Sequence, residues 1–146
     1  MDLDNMSQDD KLSLINTPNN SEEHLREFAY DGDHIIRYYV AHNLKTPEDL
    51  LRHLAQDKNI DVRRRVCRNP NTPENVLREL IKDEKWQVRL AVIYSSKVSS
   101  NLLVMLFEHE KRLQEPNSSV IWSLYRQKEL PYIARVVIET LFGDMI

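Results

Sequence analysis

Asn43-Leu44-Lys45-Thr46-Pro47-Glu48 returns 26 residues later as Asn69-Pro70-Asn71-Thr72-Pro73-Glu74, and its flanks return with it. Displaced by this period, Leu25, Leu51, Leu77 and Leu103 share one column, and Phe28, Leu54, Leu80 and Leu106 share another. Asp31, Asp57 and Asp83 form a third. The pairs Ile36-Arg37, Val62-Arg63 and Val88-Arg89 form a fourth, followed by Val40, Val66 and Val92, while Pro70-Asn71 reaches back two periods to Pro18-Asn19. Self-similarity at a fixed period of this size marks a stacked repeat architecture. The columns place about four repeats at 17–112, after an acidic leading segment at 1–16 in which Lys11 to Ile15 reads as one short helical turn. Beyond Arg112 the register needs an insertion around Glu115-Pro116-Asn117, and 113–146 reads as a divergent C-terminal cap. The 146 residues are expected to form a single helical-repeat domain, 1–146, large enough to bury roughly two-thirds of its unfolded surface.

Each unit encodes two short helices. Thr46 and Thr72 read as N-caps whose hydroxyls accept from orphan backbone N–H groups. Pro47 and Pro73 then fall at the first helical position, and Glu48 and Glu74 add negative charge to the positive end of the dipole. Leu50, Leu51, Leu54, Ala55 and Val76, Leu77, Leu80, Ile81 follow at helical spacing. A second helix is expected from roughly Asp61 to Arg68, with Val62, Val66 and Cys67 on one face and a break at Asn69-Pro70. A pair this short cannot bury its own apolar stripe, but stacked copies can, which makes an α-solenoid. Only Gly32 and Gly143 are glycines, against a usual frequency of about 7%. Phosphate loops, hairpin turns and dinucleotide fingerprints are therefore absent, and the expected fold class is all-α with no β-sheet.

Arg68-Asn69-Pro70-Asn71-Thr72-Pro73 and Asp83-Glu84-Lys85-Trp86-Gln87-Val88-Arg89 resemble the signature of the variant leucine-rich repeats, a family similar to HEAT-type repeats. The resemblance covers about Thr17 to Ser96 and extends more loosely to Glu110. It implies a right-handed, curved stack of paired helices without strands, in which the second helix of a pair can be short or 3₁₀. The family's founding member carries an iron–sulfur cluster held by a separate cysteine cluster. This chain has Cys67 alone, so no cofactor is expected.

At 100° per residue, each helix position has a fixed bearing on the helical wheel. With Val62 at the origin, Arg63 falls in the middle of the buried arc, where an unpaired guanidinium would be very costly. The aspartate column, six residues upstream, supplies partners from the same or the adjacent repeat. Asp31, Asp57, Asp83 and Arg37, Arg63, Arg89 are thus expected to form a structural ladder tying repeats together. The opposite arc differs from unit to unit: Ile35, Tyr38, Tyr39 and His42, then Asp61, Arg64, Arg65 and Arg68, then Gln87, Leu90, Ala91 and Tyr94. Tyrosine mixed with arginine is the composition of interface hot spots rather than of an ordinary solvated face. Tyr38, Tyr39, His42, Arg64, Arg65, Arg68, Leu90 and Tyr94 are therefore the candidate partner-binding residues.

Charge and the remaining side chains narrow the function. The 23 acids and 20 bases leave a net charge of −3. Residues 1–31 hold eight acids against two bases, whereas 32–96 hold nine against twelve, so the basic patch is local. His34 and His42 are eight apart, His24, His53 and His109 occupy other columns, and no metal-ligand spacing occurs. Cys67 shares a column with Ala41 and Ile93 and reads as a small core hydrophobe. Trp86 reads as a packing anchor, and Trp122 is expected to close the core under the C-terminal cap. No carboxylate pair stands out as a general acid and base, so no enzyme is expected. The acidic start without an apolar h-region, and the absence of a spanning stretch, point to a cytoplasmic protein without membrane contact. The expected function is a non-enzymatic scaffold capturing a protein or peptide partner. The alternative is nucleic-acid binding by the same strip, with Arg64, Arg65 and Arg68 on phosphates and Tyr38, Tyr39 and Tyr94 stacking.

Overall fold

Two helical registers run down the chain, each advancing by the same period. A computed structural model describes residues 5–17 and 20–146; the first four residues of the acidic leading segment and the Pro18-Asn19 pair of the repeat signature lie outside the described residues. The helices are α1 (Gln8–Asn16), α2 (Glu22–Phe28), α3 (His34–His42), α4 (Glu48–Leu54), α5 (Ile60–Arg68), α6 (Glu74–Leu80), α7 (Trp86–Ile93), α8 (Ser100–Arg112), α9 (Ser118–Tyr125) and α10 (Tyr132–Phe142), followed by a 3₁₀ turn at Gly143–Met145. No strand occurs among the described residues, and the chain is all-helical. The starts of α1, α3, α5 and α7 are 26 residues apart, as are those of α2, α4, α6 and α8. Among the described residues, no helix is long and apolar enough to cross a membrane.

The described residues form two compact units, divided between Thr72 and Pro73. In the first, α1 packs on α2 and α3, and α3 packs on α4 and α5. Its core is made of the apolar columns: Ile15, Leu25, Phe28, Ile36, Val40, Leu51, Leu54, Val62, Val66 and Cys67 are buried. In the second, α6 packs on α7 and α8, and α9 packs on α7, α8 and α10. Leu77, Leu80, Val88, Val92, Leu103, Leu106, Phe107, Ile121 and Ile138 fill that core. Each such side chain contributes roughly 1.5–3 kcal/mol of burial.

Local details depart from the sequence expectations in four places. Residues 11–15 are not a single turn but the middle of the nine-residue α1, capped by Ser7, whose hydroxyl accepts from Asp10 N. This helix occupies the second-helix register one period before α3, with Ile15 in the column of Ala41 and Cys67. Thr46 and Thr72 are not N-caps: α4 and α6 begin one residue later, Pro47 and Pro73 take the cap position, and neither makes a side-chain cap bond. The buried threonine hydroxyls instead donate backwards, to Val40 O at 2.5 Å and Val66 O at 2.6 Å. There they add a second donor to carbonyls in the last turn of the preceding helix, which also accept from the C-cap N–H groups of Asn43 and Asn69.

The insertion expected near 115–117 is absorbed largely by a longer α8, 13 residues against seven for α2, α4 and α6. Trp122 does not close the core. It is 42% exposed, with the Arg126 guanidinium 4.6 Å from its ring centroid. The reason is helical phase: Val120, Ile121 and Leu124 define the buried arc of α9, and Trp122 falls on the opposite side.

Candidate functional site

Two polar systems lie on the second helices, one inside and one outside. On the inside, Arg37, Arg63 and Arg89 are all buried. Each sends Nη1 back to carbonyls six and five residues upstream: Arg37 to Asp31 O (2.6 Å) and Gly32 O (3.1 Å), Arg63 to Asp57 O (2.8 Å) and Lys58 O (3.4 Å), Arg89 to Asp83 O (2.8 Å) and Glu84 O (3.3 Å). The other edge of the Arg37 guanidinium donates to both oxygens of Asp57 in the next repeat, at 2.5 and 3.0 Å. Each acid of the column also holds its own loop, since Asp31, Asp57 and Asp83 accept from Asp33 N, Asn59 N and Lys85 N. Those three acceptor-bound residues are the N-caps of α3, α5 and α7. Asp57 thus fixes the start of α5 and grips α3, the second helix one period earlier.

The sequence columns missed both ends of this system. Lys11, one period before Arg37, forms an ion pair with Asp31 at 2.6 Å. Burial alone would raise the Asp31 carboxyl; the Lys11 bond and the Asp33 N–H outweigh it and leave it below its ordinary value. Asp57 behaves likewise, burial being outweighed by Arg37 and the Asn59 N–H. At the far end the partner of Arg89 is not an aspartate but Glu110, fully buried on α8 at 2.5 Å from Arg89 Nε. Glu110 also accepts from Asn117 N, the N-cap of α9, and so performs both tasks of the aspartate column from inside the lengthened helix. Extending the register backwards finds Lys11; the helix extension hides Glu110.

On the outside of the first unit, α3 and α5 pack side by side and bring six of the candidate residues together. Tyr38 and Tyr39 are half-buried and meet edge to face, their centroids 5.5 Å apart. Arg65 lies over Tyr38, 5.3 Å from the ring centroid, and its Nη2 donates to Nδ1 of His42. Burial, and then the Arg65 charge, lower the pKa of His42 and so favour its neutral ring. Arg64 pairs with Asp61 at 3.0 Å, one turn away on the same helix. Arg68 is exposed. Tyr38, Asp61, Arg64, Arg65 and Arg68 together line a cleft of about 110 Å³. The Nε atoms of Arg64 and Arg65 are buried without an acceptor among the described residues.

Leu90 and Tyr94 belong to the second unit. Leu90 is half-buried; Tyr94 is 56% exposed and its hydroxyl donates to Ser123 Oγ at 3.3 Å. Ala91, expected on the outer face, is buried. Cys67 is buried in the first core, and among the described residues no group of three His, Cys, Asp or Glu side chains is placed to hold a metal ion. No protein-family model, curated protein or solved structure matches the chain.

Proposed function

We propose that the chain is a non-enzymatic helical-repeat scaffold, a right-handed α-solenoid of the variant leucine-rich, HEAT-like kind, that binds a protein or peptide partner through the arginine and tyrosine side chains of its second helices. The constant 26-residue advance of both helix registers supports the repeat reading. The observation that carries the binding reading is the outer cleft of α3 and α5. There three arginines converge, and two of their N–H groups lack an acceptor, although buried polar groups are normally satisfied. Three guanidiniums around one cleft suit an incoming acceptor better than they suit folding. The nucleic-acid alternative is less well supported, because one face of Tyr38 is already covered by Arg65 and Tyr39 packs on Tyr38 and His42.

The test is the triple variant Arg64→Glu, Arg65→Glu, Arg68→Glu. Arg68 is exposed and Arg64 and Arg65 are half-buried on the outer face, away from the apolar columns, so helical circular dichroism and the melting midpoint are expected to stay close to wild type. Partners recovered with wild-type protein should be lost, and their recovery from wild type should be insensitive to nuclease and weakened only modestly by salt. Retention of every partner by a folded triple variant would refute the reading. Nuclease-sensitive recovery that falls log-linearly with salt would assign the strip to nucleic acid instead.

A further inference from the structure

The outer cleft of the first unit holds more donors than acceptors, and the imbalance indicates what fills it. Three side-chain polar atoms are buried without a partner among the described residues; two of them are Arg64 Nε and Arg65 Nε, both from arginines lining this cleft. Its volume, about 110 Å³, is well below the roughly 300 Å³ at which pockets begin to take whole small molecules, so it accommodates a single functional group. Three guanidiniums against the Asp61 carboxylate leave a local charge of +2, and His42 adds none while its ring is neutral. Arg65 is held in place by Tyr38 on one side and His42 on the other.

The donors discriminate between anions. A carboxylate offers two oxygens and one charge, too few for three guanidiniums. A phosphodiester of a nucleic acid also carries one charge, and its affinity comes from many phosphates met in series. A phosphate monoester presents three terminal oxygens and a charge near −2 at neutral pH, matching both the number of forks and the local charge. The small volume leaves no room for a ring behind the phosphate. Tyr38 in the lining, and Tyr39 packed edge to face against it, offer aromatic surface to the residues flanking such a group.

We infer that the cleft formed by Tyr38, Arg64, Arg65 and Arg68 takes the phosphate of a phosphorylated serine or threonine side chain in a peptide partner, an inference that rests on the reading of this strip as a binding surface. Arg68 supplies the exposed fork, the Arg64 and Arg65 guanidiniums complete the cationic lining, and Asp61 keeps Arg64 oriented until the anion enters.

The test follows the arginine Nε–H resonances of the ¹⁵N-labelled full chain, with Arg64 and Arg65 assigned through Arg→Lys variants. Inorganic phosphate and a blocked alanine pentapeptide with central phosphoserine are expected to move both signals saturably at pH 7.5. Acetate, dimethyl phosphate and the unphosphorylated peptide should bind at least about tenfold more weakly. Arg68→Gln should weaken phosphate by about tenfold, the loss of one charge-assisted fork, without shifting the melting midpoint. No saturable response to phosphate, or an equal response to acetate, overturns the inference. Dimethyl phosphate binding as tightly as phosphate also overturns it and assigns the cleft to nucleic acid. If the triple glutamate variant loses its protein partner while phosphate moves neither signal, the phosphate inference falls and the binding surface stands; if the partner is retained and phosphate moves neither signal, both fall.

Discussion

Arg37 and Arg64 carry the same side chain into opposite situations. The Arg37 side chain is 7% exposed and its Asp57 partner 5%, and the pair is joined by two charge-assisted bonds, with two further bonds to backbone carbonyls. Removing one member leaves a charge buried without its counter-ion, which typically costs about 3–5 kcal/mol. Arg64 and Asp61 are 38% and 56% exposed, and an exposed pair one turn apart on a helix is worth only about 0.2–0.5 kcal/mol. Arg37→Met is therefore expected to lower the urea midpoint far more than Arg64→Ala. Arg89→Met, which strands the fully buried Glu110, should behave like Arg37→Met. Comparable midpoints for Arg37→Met and Arg64→Ala would show that the buried ion pairs do not hold the repeats together. At this scale the wheel read the position well, since a residue following a core valine falls inside the buried arc. It could not read the bonding, because which carboxylate reaches a guanidinium depends on how the next helix is placed.

At the scale of the element, successive second helices are joined at their C-terminal ends by asparagine. Asn43 Nδ2 donates to Ile15 O at 2.8 Å, and one period on Asn69 Nδ2 donates to Ala41 O at 2.8 Å and Asn43 O at 3.0 Å. The Asn69 oxygen meanwhile accepts from Asn71 N at 2.9 Å, so one buried amide closes its own turn and ties it to the helix before. Asn69→Ala leaves two carbonyls and an N–H without these bonds in a largely buried place, a loss of about 1–3 kcal/mol. Asn71→Ala, which removes an exposed bond to Leu44 O, should cost at most about 1 kcal/mol. Chemical denaturation of the two variants checks the order, and an Asn69→Ala midpoint equal to wild type would sink it. The asparagine column was visible in the sequence as a break between helices; its reach across the repeat was not, because a turn signal describes only local backbone. The sequence reads Lys11 to Ile15 as one short turn rather than as part of the repeat columns for a related reason, since the acids around them obscure the register. A helix boundary shifted by one residue turns the threonine hydroxyls from caps into donors, and the phase of α9 against its neighbours turns Trp122 outward.

For the molecule as a whole, the titrating groups that burial and pairing have shifted decide how stability varies with pH. Burial, then the Arg65 charge, lowers His42 below its ordinary 6.5. Burial, reinforced by Arg89 and opposed by Glu110, lowers His109 from the same value. A histidine with a lowered folded pKa binds fewer protons folded than unfolded between that pKa and 6.5, so stability rises with pH across this window and is lost on acidification from 6.5 downwards. Asp31 and Asp57, below their ordinary 3.8 in the folded state, add stability that is complete above 3.8 and lost as pH falls further. One histidine and both aspartates belong to the first unit and the other histidine to the second, so each unit carries part of the response. Two separate declines are expected as pH falls: a shallow one beginning near 6.5 and a steeper one below 3.8. Urea midpoints measured from pH 8 to pH 3 check this, with His42→Gln combined with His109→Gln as the comparison. The double variant should be flat between pH 8 and 5 and still collapse below 3.8. If it declines below 6.5 as steeply as wild type, the two histidines are not the source of the first step.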